Sequence, residues 1–154
     1  MSSIARRLAS LTGIYDSDVR AWYNAVLVNG GTVSSGRLGV VTAFVLSEKA
    51  VGLWALTDDY LGFWAENAAQ ARTSLKQRRL ATVVNSPTFT ADRHYAFNGS
   101  TSYLDTSFVP STHAIAMGAS SVHAEVYERT NVSSASGSIG VSSGSSKVIN
   151  LFPR

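Results

Sequence analysis

The sequence predicts an α+β chain, with a helical segment over residues 1–59 and an antiparallel β-sandwich over residues 60–154. Three observations carry this. Before residue 59 apolar residues recur at helical spacing, first as Val19, Trp22, Tyr23 and Val26 and then as Leu38, Val41, Phe44 and Val45. After residue 88 the apolar runs are short and turn residues separate them. Within that second regime Tyr95-Ala96-Phe97 leads into Asn98-Gly99, and Tyr103-Leu104 resumes the apolar run. The alternation is that of a half-buried strand, and Asn-Gly readily takes the positive φ angles of a tight turn, so the stretch predicts a β-hairpin.

The elements follow in order. Asp16-Ser17-Asp18 supplies short polar acceptors for free N–H groups, so a helix starts there, and Asn29-Gly30-Gly31 stops it. Ser34 or Ser35 caps a second helix that Gly52 ends. Leu53-Trp54-Ala55-Leu56 reads as one further turn closed by Thr57-Asp58-Asp59. The two helices form an αα-hairpin burying Trp22, Phe44 and Trp54. Residues 60–65 are rich in aromatics and read as a strand. Residues 66–79 read as a helix with Ala68, Ala71 and Leu75 inside and Lys76, Arg78 and Arg79 at its negative end. Short strands are expected over residues 81–84, 88–91, 95–97, 102–104, 114–117, 122–127 and 147–152. Residues 133–146, dominated by Ser and Gly, read as a linker or as a wide loop around one weak strand carrying Ile139 and Val141. Ahead of the first helix, Ile4, Leu8 and Leu11 form a partial helical stripe in an acid-free arm with Arg6 and Arg7; its composition resembles a transit peptide, and an exposed arm that docks is the favoured reading.

Composition narrows the function classes. The chain has 154 residues, 45% hydrophobic and 15% charged, which suits a packed core and excludes a disordered chain. A net charge of +3 is too weak to imply nucleic acid as a specific partner. The absence of cysteine excludes disulfides, thiolate metal sites and cysteine nucleophiles. No apolar run approaches the roughly 20 residues that span a bilayer, so no membrane is expected as a partner.

Few residues are arranged for chemistry. Gly140-Val141-Ser142-Ser143-Gly144 matches the nucleophile-elbow pattern, but that motif needs a strand before the serine and a helix after it, and Ser145-Ser146-Lys147 leads into a strand-like run. His94, His113 and His123 lack metal-ligand spacing. Asp58, Asp59 and Glu66 offer oxygens for Ca²⁺, with capping and turn formation the favoured reading; no other cofactor is indicated. Glu125 and Glu128, on a strand, point to opposite faces and make a poor glycosidase pair. Arg72, Lys76 and Arg79 share one face of the expected helix beside Arg78, which offers phosphate contact or a solvated face. Asn98-Gly99-Ser100 and Asn131-Val132-Ser133 match the N-glycosylation acceptor pattern, discounted without a secretory signal.

The run from Val84-Asn85-Ser86-Pro87 through His94-Tyr95-Ala96-Phe97-Asn98-Gly99 to Tyr103-Leu104-Asp105-Thr106 resembles a segment of bacteriophage and prophage structural proteins. Trp64-Ala65-Glu66-Asn67 with Gln70-Ala71 and Leu75 is similar to the stretch preceding that segment, and Val126-Tyr127-Glu128-Arg129-Thr130-Asn131 to a later strand. Tyr15-Asp16-Ser17-Asp18, Trp22 and Gly52-Leu53-Trp54 fit more loosely. The resemblance implies a concanavalin A-like, laminin-G-type β-sandwich, a jelly-roll relative, of which this chain supplies about half the strands. The sheet is therefore expected to be truncated here or completed by another chain.

The expected function is a non-enzymatic virion component, part of a tail, fibre or capsid-associated structure. Its partners would be other virion proteins and copies of itself. A carbohydrate-binding module for host surface glycans is the alternative, using ring faces such as Tyr60, Tyr103 and Tyr127. A glycan or ester hydrolase using Ser142 is the third reading.

Overall fold

The structure is a computed structural model that describes residues 15–118, 120–127, 139–142 and 148–151. The stripe of Ile4, Leu8 and Leu11 lies outside the described residues, as do Glu128 and the acceptor pattern at Asn131.

Helix α1 is Ser17–Val28, and the Asp16 side chain caps it by accepting from the Asp18 N–H at 2.9 Å. Its stripe of Val19, Trp22, Tyr23 and Val26 is buried. The chain leaves α1 through Gly30 at φ +79°. Gly31 is fixed by space: a Cβ there would lie 2.7 Å from Val26 Cγ1 and 2.8 Å from Ala69 Cβ. Helix α2 is Ser35–Ala50, capped by the Ser34 hydroxyl, which accepts from the Arg37 N–H at 3.1 Å. Leu38, Val41 and Val45 are buried, while Phe44 packs at the margin against Tyr60 with ring centroids 5.0 Å apart. Gly52 at φ +80° turns the chain into the single turn α3, Leu53–Leu56, whose Trp54 is buried. The expected helical hairpin is present, and its core also takes Leu75, with Tyr60 and Trp64 at its edge. Apolar packing thus runs across residue 59.

Two expected elements between residues 60 and 79 are corrected. Residues 60–65 form a bent aromatic loop and no strand. Their carbonyls are taken by distant amides, Tyr60 O by Leu75 N–H and Ala65 O by Asp92 N–H, both at 2.8 Å. The helix expected over residues 66–79 contracts to α4, Ala68–Arg72, capped by Asn67. Thr73 stops it, because its hydroxyl bonds back to Ala69 O at 2.7 Å and its backbone turns extended. Arg78 then sits at φ +62° inside a turn closed by Ser74 N–H to Arg79 O at 2.8 Å.

The β-half consists of three two-stranded antiparallel sheets among the described residues. Strand β1 is Thr82–Val84, β2 Thr88–Thr90, β3 His94–Ala96 and β4 Tyr103–Asp105. β2 pairs with β3, Phe89 opposite Tyr95; β1 pairs with β4, Val83 opposite Leu104. One hairpin is therefore nested inside the other pair. This corrects the expected hairpin about Asn98-Gly99. Asn98 Oδ1 gathers the N–H groups of Ser100, Thr101 and Ser102, which opens the turn into a wide loop and separates β3 from β4. Asp92 at φ +59° makes the β2–β3 turn instead. Tyr95 is buried with Ala65 and Ala71 in a second small core, against Phe63, Phe89 and Leu104.

Residues 114–117 are not a strand, because the N–H groups of Ile115, Ala116 and Met117 all point at the Asp58 carboxylate. The short helix α5, Pro110–His113, precedes them. Residues 122–127 are also without strand pairing. Strand β5, Ile139–Ser142, pairs with β6, Val148–Leu151, with Val141 opposite Ile149.

Candidate functional site

Most charged side chains of the helical half are spent on internal ties. Asp18 lies between Lys49 at 2.8 Å and Arg78 at 2.6 Å and also accepts from the Trp54 indole N–H at 2.9 Å. Burial pushes its carboxyl up, but the bonds from Lys49, Arg78 and Trp54 outweigh that and hold its pKa at about 2. Lys49 also reaches Asp16 at 2.8 Å. Burial alone would lower its pKa, yet the two carboxylates raise it. Lys76 donates to Trp54 O and lies 4.6 Å over the Trp54 ring, and burial pushes its pKa down. Arg79 pairs with Asp59 and donates to Thr106 O at 2.8 Å. Arg72 donates to Ala81 O at 3.3 Å. Arg72, Lys76 and Arg79 therefore do not share one helical face; the helix ends at Arg72, and each of the three serves a different contact.

The three carboxylates proposed for Ca²⁺ are likewise separated. Asp58 accepts the Ala116 N–H at 2.7 Å and the Met117 N–H at 2.8 Å, besides that of Ile115. Burial opposes the charge and these backbone donors overcome it, so its pKa falls. Asp59 takes Arg79 and the Ser74 hydroxyl. Glu66 accepts the Ser34 N–H at 3.0 Å, the Ser34 hydroxyl and the Gln70 amide at 2.9 Å. Burial again raises its pKa, and the Ser34 and Gln70 bonds more than compensate. Among the described residues no three His, Asp or Glu side chains are grouped to hold a metal ion.

The other sequence candidates are not brought together either. Ser142 is the last residue of β5 and pairs with Val148 of the antiparallel strand β6, whereas a nucleophile elbow leads from a strand into a helix. His113 Nδ1 accepts the Val109 N–H at 2.8 Å, and His123 lies 3.6 Å from Glu125 on an exposed segment. His94 is in β3. Tyr60 is half-buried, its ring tilted against that of Phe44 with centroids 5.0 Å apart. Tyr103 is 53% exposed and Tyr127 87% exposed.

What remains is a surface that sequence inspection missed. The outward side of α2 is Gly36, Gly39, Val40, Ala43, Leu46, Ser47 and Ala50, all exposed and none charged. Its charged residues Arg37, Glu48 and Lys49 lie towards the buried side instead. Arg37 pairs with Asp92 and stands 5.2 Å over the Trp64 ring. Ser47 turns its hydroxyl back onto Phe44 O at 2.7 Å. The exposed apolar series continues along the chain through Val51, Leu53 and Leu56. The outward side of α2 thus lacks the charged residues that usually cover the solvent side of a surface helix. The signal was present in the sequence as a helix with three charges in sixteen residues, all off one face.

Comparison with protein-family models, with curated proteins and with solved structures finds no match, so the functional reading rests on the chain's own residues. Among the described residues no helix is long and apolar enough to cross a membrane.

Proposed function

We propose that this protein is a non-enzymatic structural component of a phage virion, tail, fibre or capsid-associated, with other virion proteins and copies of itself as its partners. The observation that carries the proposal is the uncharged outward face of α2 and α3. Five large residues on or beside it, Val40, Leu46, Val51, Leu53 and Leu56, are half or more exposed. Covering each would contribute about 1 kcal/mol, since full burial of such a side chain contributes about 1.5–3 kcal/mol. Two copies face to face would gain roughly 10 kcal/mol against an association cost of about 4–15 kcal/mol. That balance describes a contact that is weak alone and strong in a multivalent assembly.

The β-half fits the same reading. Each described sheet has only two strands, and isolated two-stranded sheets are marginal in water. The nested pairs β1–β4 and β2–β3 are read as part of a concanavalin A-like sandwich whose remaining strands come from another copy or neighbour. Light scattering on the purified protein tests the proposal. Mass above the monomer that rises with concentration supports it, and a monomer at every concentration speaks against it.

The carbohydrate-binding reading is favoured by one observation, the exposed rings of Tyr103 and Tyr127. A glycan array discriminates: binding abolished by Tyr103→Ala or Tyr127→Ala supports it, and no binding at millimolar glycan removes it.

A further inference from the structure

Helix α2 carries a glycine that its own chain does not explain. Gly39 lies in the second turn of Ser35–Ala50, where glycine is destabilising relative to alanine. Its φ is not left-handed, and a Cβ added there would meet nothing within 4 Å. Neither backbone conformation nor internal packing therefore requires glycine, in contrast to Gly31. The surroundings of Gly39 are symmetrical about Ala43, near the middle of the helix. At 3.6 residues per turn, the buried Val41 and Val45 stand about 160° from Ala43, and Arg37, Glu48 and Lys49 about 120–140°. Outwards from Ala43, residue size repeats in both directions. Large Val40 and Leu46 lie three residues away, small Gly39 and Ser47 four, and small Gly36 and Ala50 seven. These six fall within about 60° of Ala43 around the helix. All are exposed, Val40 and Leu46 by more than half.

We propose that two copies of this chain associate through α2 as an antiparallel helix pair, with Ala43 at the two-fold axis. The inference rests on the reading that the uncharged face of α2 binds copies of the same chain, and it fixes how they meet. A two-fold axis perpendicular to the helix sets each residue opposite the one equally far on the other side of Ala43. Gly39 then meets Ser47 of the second copy, and Val40 meets its Leu46. Gly39, Ala43 and Ser47 form one row at a spacing of four residues. Two such rows of small side chains let the backbones approach closely, at a crossing angle of about −50°. Val40 and Leu46 bracket the crossing on both sides and cover one another. No charge is buried, because none stands on this face. The close approach also gives Gly39 the role that its own chain does not supply. A parallel pair would need no such symmetry of size, since each residue would meet its own counterpart. It would also set like ends of the two helix dipoles together, whereas the antiparallel pair sets opposite ends together.

The chain contains no cysteine, so a single introduced one can cross-link only to its counterpart. Ala43→Cys and Ser47→Cys are made separately, checked for folding by circular dichroism, and oxidised, with dimer read on a non-reducing gel. In the antiparallel pair the thiols at position 43 meet at the axis. Those at position 47 are roughly 12 Å apart along the helices. That exceeds the Cα spacing of about 7 Å that a disulfide can bridge. Ala43→Cys is therefore expected to cross-link roughly tenfold or more faster than Ser47→Cys. Val40→Cys mixed with Leu46→Cys should cross-link faster than either alone. Gly39→Ala is a second check: its melting temperature in dilute solution should not fall, while association weakens roughly tenfold or more. Sedimentation of the parent is run alongside. In a parent that associates, cross-linking at position 43 no faster than at position 47 would overturn the antiparallel pair and leave self-association standing. A parent that never associates would overturn both.

Discussion

Asp18 is the residue on which the helical half converges. It joins α1 to Lys49 at the end of α2, to Trp54 in α3 and to Arg78 in the turn beyond α4. Replacing it by Asn leaves the part-buried Arg78 without its counter-charge and Lys49 with Asp16 alone, and a loss of about 1–2 kcal/mol is expected, measurable by urea denaturation. Its depressed pKa also fixes a pH dependence. A carboxyl at about 2 in the folded state, against an ordinary 3.8, contributes fully above about pH 4 and is lost as pH falls towards 2. With a quarter of the side chain in solvent, the effect is of the order of 1 kcal/mol. Asp58 and Glu66, also shifted down, add in the same direction. Thermal melts followed by circular dichroism should drop over that interval, and the Asp18→Asn variant should drop less. Gly31 makes a separate prediction. A methyl group there meets Val26 and Ala69 below 3.0 Å, so Gly31→Ala should cost about 1–3 kcal/mol through overpacking, although its φ is not left-handed.

At the scale of elements, what could be foreseen depended on distance along the chain. The helices α1 and α2 show their stripes, caps and stop residues within a few residues of themselves, and Asp16, Ser34, Gly30 and Gly52 act as their types suggest. The helix expected over residues 66–79 failed at Thr73 and Ser74, whose hydroxyls bond locally or to Asp59 in place of supporting a helix. Strand pairing was less legible, because partners are chosen by contacts remote in sequence. Val83 opposite Leu104 and Ala81 N–H on Arg72 O leave no local trace. The outward face of α2 was readable in principle, since the positions of Arg37, Glu48 and Lys49 are explicit, but only the buried stripe draws the eye. The segment after β4 rests on polar tethers: Asp58 to three amides, and the Gln77 amide to Asp58 O at 2.8 Å and His113 O at 2.6 Å. Ile115 itself is exposed, so apolar burial does not hold the segment. Asp58→Ala should therefore release the amides of residues 115–117 to rapid hydrogen exchange while α1 and α2 stay protected. Unchanged protection of those amides would show that the carboxylate is not the tether.

For the whole molecule, the helical half encloses a core built from Val19, Trp22, Tyr23, Val26, Leu38, Val41, Val45, Trp54 and Leu75, and the β-half carries a smaller cluster around Tyr95. The first draws on residues beyond 59 as well, through Leu75, Tyr60 and Trp64; among the described residues the second consists of short strands paired two by two. Five of the exposed large apolar residues, Val40, Leu46, Val51, Leu53 and Leu56, lie on or beside α2 and α3, and that surface is the central claim. Sedimentation equilibrium of the parent protein beside a Val40→Glu/Leu46→Glu double variant tests it most directly. Both positions are exposed, so the variant should keep the parent's circular dichroism and melting behaviour. The account predicts a parent that associates with rising concentration and a double variant that stays monomeric. A parent that is monomeric throughout, or a variant that associates as strongly as the parent, would contradict it.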